Sequence, residues 1–276
     1  MPKPKGATYY AERINAKQQT RKVRKKFKAN LRRIERLSKI WQHSRPFDEY
    51  NAFFSIILKK DLVKALSKIP RRKGRPLEVF EEGAGKGLFL AELKQRLAEK
   101  GVPSHMTALS IHYGKELEEL LKAGKIDRAV SVPSEKFLLE KPVDAIFSLF
   151  GPLNYSVSEL RKDHLLKLAH SLRKNGLMLV GLNFKEEMAV PVNATPAEIG
   201  YVWQRNNMAI LHGFSENPKN DRRMKIQKEM SGIERALRKR GFDARFYDLS
   251  KRRKFIWLLR TGLRLPNIAL VIKRVN

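Results

Sequence analysis

The chain contains no cysteine, which excludes disulfide bridges, thiolate zinc sites and cysteine nucleophiles. No run approaches the roughly 18 consecutive apolar residues that span a bilayer, and the amino-terminal segment lacks the apolar core of a signal peptide. A cytoplasmic protein with no membrane partner is therefore the expectation. Acids are scarce as well: 28 Asp and Glu stand against 58 Lys and Arg, a net charge of +30. That excess goes beyond what solubility requires and points to a polyanionic partner, nucleic acid first. Serine is nearly missing from the lysine-rich first 40 residues, which argues against a mitochondrial presequence as the reason for their charge.

The positive charge is spread along the chain. Residues 1–40 hold 14 Lys or Arg with only Glu12 and Glu35 opposing them, and the remaining residues still carry +18. A disposable basic tail would not produce that distribution. Residues 9–42 contain neither proline nor glycine, and Phe27, Leu31, Ile34 and Leu37 recur at steps of three and four. This predicts a long helix with one apolar stripe on a cationic cylinder. Arg21, Lys22, Arg24, Lys25, Lys26, Lys28, Arg32 and Arg33 are then candidate contacts to nucleic-acid phosphates. A second helical tract, residues 47–68, includes Phe53, Phe54, Leu62 and Leu66 at spacings that suit packing on a following domain. The hinge Pro70-Arg71-Arg72-Lys73-Gly74-Arg75-Pro76 ends it, and Arg71, Arg72 and Lys73 join the candidate RNA contacts. These features divide the chain into a basic helical extension, 1–75, and a domain over 76–276 with insertions at 184–220 and 249–266.

From residue 77 strand and helix patterns alternate as in a doubly wound sheet. Strands are predicted at 77–82, 105–111, 128–132, 143–150, 177–183, 242–248 and 267–274, with helices at 86–99, 114–123, 156–174 and 221–240. Asn175-Gly176 reads as the turn into the fifth strand. The most informative stretch is the first strand with its glycine-rich turn, Leu77-Glu-Val-Phe-Glu-Glu-Gly83-Ala-Gly85-Lys-Gly87-Leu. Three alternate glycines let backbone approach a ligand without Cβ atoms in the way, and Glu81 is placed to accept hydrogen bonds. A phosphate-cradling P-loop is excluded, because Lys86 is followed by Gly87 in place of Ser or Thr.

The spacing Glu81-x-Gly83-x-Gly85-x-Gly87 resembles motif I of class I S-adenosylmethionine-dependent methyltransferases, and Asp144-Ala-Ile-Phe-Ser148 through Asn154-Tyr155 resembles their motif IV. The resemblance covers residues 77–276 and implies a Rossmann-like seven-stranded doubly wound sheet with S-adenosylmethionine as cofactor. Carried over, Glu81 would face the methionine ammonium, with Gly83, Ala84, Gly85 and Gly87 forming the turn beneath the cofactor. Ser148, Asn154 and Tyr155 would meet the acceptor where the methyl is transferred, and Ser148 would also border the cofactor. The family usually ends its second strand with an acid that binds the ribose hydroxyls. This chain has Ser110 and His112 there, and Ser134 and Glu135 stand near the adenine position.

Together with the charge, the resemblance implies methylation of RNA, ribosomal RNA or a ribosomal subunit above all, with an exocyclic amine of cytosine or adenine as acceptor. Two other uses stay open: a non-catalytic ribosome-assembly factor with this fold, motivated by the missing carboxylate, and a small-molecule methyltransferase. Asn154 as a helix cap and Tyr155 as a packing residue is an equally good reading of those two positions. The basic tract with Phe255 and Trp257 could stack bases or extend a strand. The six histidines are scattered, and no metal site is expected.

Overall fold

The computed structural model describes residues 61–110, 114–132, 134, 137–149, 158–182, 222–248 and 268–275. They form helix α1 (Asp61–Ser67), β1 (Leu77–Glu82), α2 (Leu88–Ala98), β2 (Ser104–Ser110), α3 (Lys115–Lys122), β3 (Arg128–Ser131) and β4 (Val143–Ser148). After these come α4 (Ser158–His170), β5 (Leu172–Leu182), α5 (Arg222–Arg238), β6 (Phe242–Asp248) and β7 (Ile268–Arg274). The strands make one sheet in the order β3-β2-β1-β4-β5-β7-β6. The first five pair in parallel, and β7 runs antiparallel to both β5 and β6. This is the Rossmann-like sheet of class I methyltransferases that the sequence predicts.

Helices cover both faces, so the central strands are apolar on both sides, as parallel sheets require. On one face Val79, Met106, Ala145 and Phe147 pack under Phe89, Leu93 and Leu97 of α2 and Leu117 of α3. Leu62 and Leu66 of α1 are buried in the same cluster, which seats the helix before the hinge on the domain. On the other face Phe80, Ile146, Met178 and Val180 meet Leu165 and Ala169 of α4 and Ile233 and Leu237 of α5. Truncating a large member of either cluster to alanine costs about 2–5 kcal/mol.

One boundary differs from expectation. The helix expected over 156–174 stops at His170, and β5 begins at Leu172. Asn175-Gly176 is no turn but part of a bulge, with Asn175 at φ 65°. Along it the register against β4 jumps from Val143↔Leu172 to Ala145↔Leu177. The pull is tertiary: Arg173 reaches Asp144 at 3.1 Å, a contact that a helical continuation would forfeit.

Chain order reverses between β1 and β4, which lie side by side, so the open crevice of the sheet is at their carboxyl ends. Among the described residues no helix is long and apolar enough to cross a membrane.

Candidate functional site

Strand β1 ends in two consecutive acids. Side chains alternate across a strand, so in a sheet covered on both faces both acids must be buried, one on each side. Glu81 and Glu82 are each 1% exposed. Their surroundings differ sharply. Glu81 Oε2 has no hydrogen-bond partner among the described residues, and burial pushes this carboxyl well above its ordinary 4.5. Glu82 faces α4, where His164 Nε2 lies 2.5 Å from its Oε1, and only its Oε2 shares the lack of a partner with Glu81 Oε2. Burial alone would raise Glu82 too. The charge and hydrogen bond of His164, with a contribution from Ser134, outweigh burial and hold it below 4.5.

The loop after β1 is held at three points. Ala84 N–H donates to the Leu109 carbonyl at 2.9 Å, and Gly87 N–H donates to the Ala84 carbonyl at 2.8 Å. Lys86 pairs with Glu116 of α3 at 2.8 Å. Between these anchors Gly83 and Gly85 are exposed with φ of 71° and 54°. Among the described residues a Cβ on Gly85 would meet nothing within 4 Å, so it is the backbone angle that calls for glycine there. At Gly87 the demand is different: a Cβ there would stand 2.6 Å from Leu117 Cδ1. That glycine seats α2 against α3.

These positions sort the expected site residues. Glu81, Gly83 and Gly85 share the crevice edge, and Ser110 ends the neighbouring β2 in a largely buried position. Ala84 points into the core, with its N–H and carbonyl both engaged, and it anchors the loop. Ser148 is fully buried, and its Oγ has no hydrogen-bond partner among the described residues; Ser134 supports the Glu82 carboxylate. Arg71 donates to the Pro103 carbonyl at 3.3 Å, and Arg72 and Lys73 are exposed. All three precede β1 and so lie at its amino end, across the sheet from the glycine loop and not beside it, because the strand runs between them. His112, Glu135, Asn154 and Tyr155 lie outside the described residues. So do Arg21, Lys22, Arg24, Lys25, Lys26, Lys28, Arg32 and Arg33, and the tract with Phe255 and Trp257.

Two residues of the site escape a sequence reading. Glu82 and His164 are 82 positions apart, and nothing local announces their contact. A signal for half of it existed, since a second acid in a strand buried on both faces requires a partner. Phe80 stacks on Phe137 at 5.4 Å, and Lys167 of α4 donates to the Phe137 carbonyl, so the segment after β3 is clamped over the same face. Among the described residues no group of three or more His, Asp or Glu could hold a metal ion.

No protein-family model matches the sequence, and no curated relative matches it. Solved structures similar to this chain include the plantazolicin methyltransferase BamL in complex with a triazolic desmethylPZN analog and SAH. It is 14% identical, with 88% of this chain and 98% of that chain covered and a TM-score of 0.49. The plantazolicin methyltransferase BpumL with a monoazolic analog and SAH is 13% identical over 97% of this chain and 100% of that one, at TM-score 0.48. The 1,6-didemethyltoxoflavin-N1-methyltransferase of Burkholderia thailandensis, with bound 1,6-didemethyltoxoflavin and S-adenosylhomocysteine, is 14% identical over 84% and 92%, at TM-score 0.43. Likenesses this weak leave the fold standing on its own strand order and register.

Proposed function

We propose that the chain is an S-adenosylmethionine-dependent methyltransferase acting on RNA, with a ribosomal RNA base amine as acceptor. The observation that carries this is the pairing of a glycine turn with a buried, unpartnered carboxylate oxygen at the point where chain order reverses. The residues present fit the cofactor: Glu81 would accept hydrogen bonds from the methionine ammonium, and Gly83 and Gly85 would let backbone lie close beneath it. When bound, the cofactor supplies a methyl group already activated on a sulfonium, so alignment is most of what the protein must add. Ser110 would accept or donate one hydrogen bond at the ribose, less than the two a carboxylate would accept. Glu82 and His164 would hold the ends of β1, β4 and the segment after β3 in fixed relation. His112, Ser134, Glu135, Ser148, Asn154 and Tyr155 complete the proposed cofactor and acceptor positions.

The net charge of +30 supports a polyanionic acceptor. Nucleoside mass spectrometry of ribosomal RNA from cells with and without the gene tests this, and the expected result is one methylated base lost on deletion. An unchanged profile would remove RNA as the substrate. A second reading is favoured by Ser110 standing where a carboxylate is usual: a fold retained for binding in ribosome assembly, without catalysis. Titration calorimetry separates the two, because absence of heat at millimolar S-adenosylmethionine would leave only the binding role.

A further inference from the structure

At the opposite, amino edge of the sheet, where β4 and β5 begin and β7 ends, Arg75, Asp144, Arg173, Lys174 and Arg274 line a cavity of about 450 Å³. Asp144 is the one acid among the lining residues. Arg75 grips it with both guanidinium nitrogens at 2.7 and 2.8 Å, and Arg173 adds a third bond at 3.1 Å. The lining is thus net positive, with Arg274 held in place by hydrogen bonds from its Nη1 to the His170 and Leu172 carbonyls. The field reaches a neighbour: burial first, and then the Arg274 and Arg240 charges, hold His170 below its ordinary 6.5.

A backbone device builds this lining. From Leu172 to Leu177 β5 takes five residue steps while β4 takes two, from Val143 to Ala145. Such bulges re-aim side chains at functional edges, and this one delivers Arg173 and Lys174 to the cavity. Gly176 lets it close, because a Cβ there would come 2.8 Å from the Arg173 carbonyl oxygen and 2.9 Å from that of Asp144. Those contacts are backbone and cannot swing aside.

We propose that this cavity is an oxyanion site that seats one phosphate of an RNA chain, far from the edge where methyl transfer would occur; it rests on the proposal that RNA is the substrate. The Lys174 ammonium suits a phosphate oxygen, and the guanidinium groups anchored beside it on Asp144 add positive field around that oxygen. Exposed Arg72 and Lys73 lie in the same hinge as Arg75 and extend the positive path. Six residues of β4 separate the two edges, about 20 Å at about 3.3 Å per residue. No small acceptor spans that distance. An RNA strand of several nucleotides does.

The test uses the full chain and its Lys174→Gln and Lys174→Glu variants. Lys174 is exposed and has no hydrogen bond or ion pair among the described residues, so both variants should fold. Binding of a fluorescent single-stranded 20-nucleotide RNA is followed by anisotropy across a potassium chloride series. For the glutamate variant we expect about threefold to tenfold weaker binding and a log-log salt slope shallower by about 0.7 to 1, with the glutamine variant between. Equal affinity and slope in all three proteins overturns the proposal while leaving RNA binding intact. In a second arm, inorganic phosphate should raise the melting temperature of the parent chain more than that of Lys174→Glu. If the parent binds no RNA yet phosphate protects it selectively, the RNA reading falls and the cavity is a site for a free phosphate. Equal protection of parent and variant would overturn the site itself.

Discussion

The two edges of the sheet handle buried charge in opposite ways. At the carboxyl edge Glu82 meets one imidazole through its Oε1 at 2.5 Å, while its Oε2, like that of Glu81 beside it, meets no donor among the described residues. At the amino edge the order is inverted, and one carboxylate, Asp144, is shared by two guanidinium groups and the Glu78 N–H. The lesson is one of surplus. The carboxyl edge keeps buried acids, and the amino edge has a net positive lining. A buried carboxylate suits a cationic cofactor, and a cavity rich in positive charge suits a phosphate.

The sharpest way to break the contrast is His164→Ala, which strands Glu82 as a buried charge. It should cost about 3–5 kcal/mol of folding stability in urea denaturation. A Glu82→Gln, His164→Ala double-mutant cycle should then show a coupling of about 0.5–3 kcal/mol. If both single variants are neutral, the pair does not hold the edge together. Asp144→Asn comes next at about 2–3 kcal/mol, less because Arg75 and Arg173 are 25% and 30% exposed and can reach water once the carboxylate is gone. Within the glycine loop, Gly87→Ala should lose about 1–3 kcal/mol through backbone strain at φ 75° together with the clash with Leu117. Gly85→Ala should lose only about 1 kcal/mol of backbone strain and show its main effect in cofactor heat.

Changes of pH sharpen the same comparison with opposite signs. The Glu82 carboxyl is lowered, so its share of stability is present above 4.5 and is lost as pH falls through its still lower folded value. The Glu81 carboxyl is raised, so folding weakens as pH climbs from 4.5 toward that raised value. Stability curves for Glu82→Gln and Glu81→Gln should each lose one of these slopes and keep the other. Glu81→Gln carries the smallest stability effect: within about 1 kcal/mol of the parent at neutral pH, and favourable if it departs from it. Its calorimetric heat with S-adenosylmethionine should nevertheless vanish. Retention of that heat would remove Glu81 from the proposed site.

Much of the fold is legible in the sequence. The strand rhythm and the glycine spacing are local signals, and the strands fall within a few residues of where the sequence places them, apart from β5. Asn-Gly is among the strongest turn signals a sequence carries, yet at 175–176 it sits inside a strand. A buried aspartate 29 positions away from Arg173 decides that boundary, and local propensity cannot register such a contact. The Glu82–His164 pair and the amino-edge cavity are illegible for the same reason. The cavity draws on residues 75, 144, 173 and 274, and only the topology brings them together. The hinge arginines show the converse hazard. Their charge is plain in the sequence, but that they lie at the amino end of β1, away from the glycine loop, follows only from the direction of the strand.

The place of β7 has a consequence for biosynthesis. It follows β6 in the chain yet lies between β5 and β6, so during translation those two strands emerge with no hydrogen-bonding neighbour to join them. Until Ile268–Arg274 leaves the ribosome, one flank of the parallel sheet stays an open edge, a template for unwanted pairing that a nascent chain must keep apart.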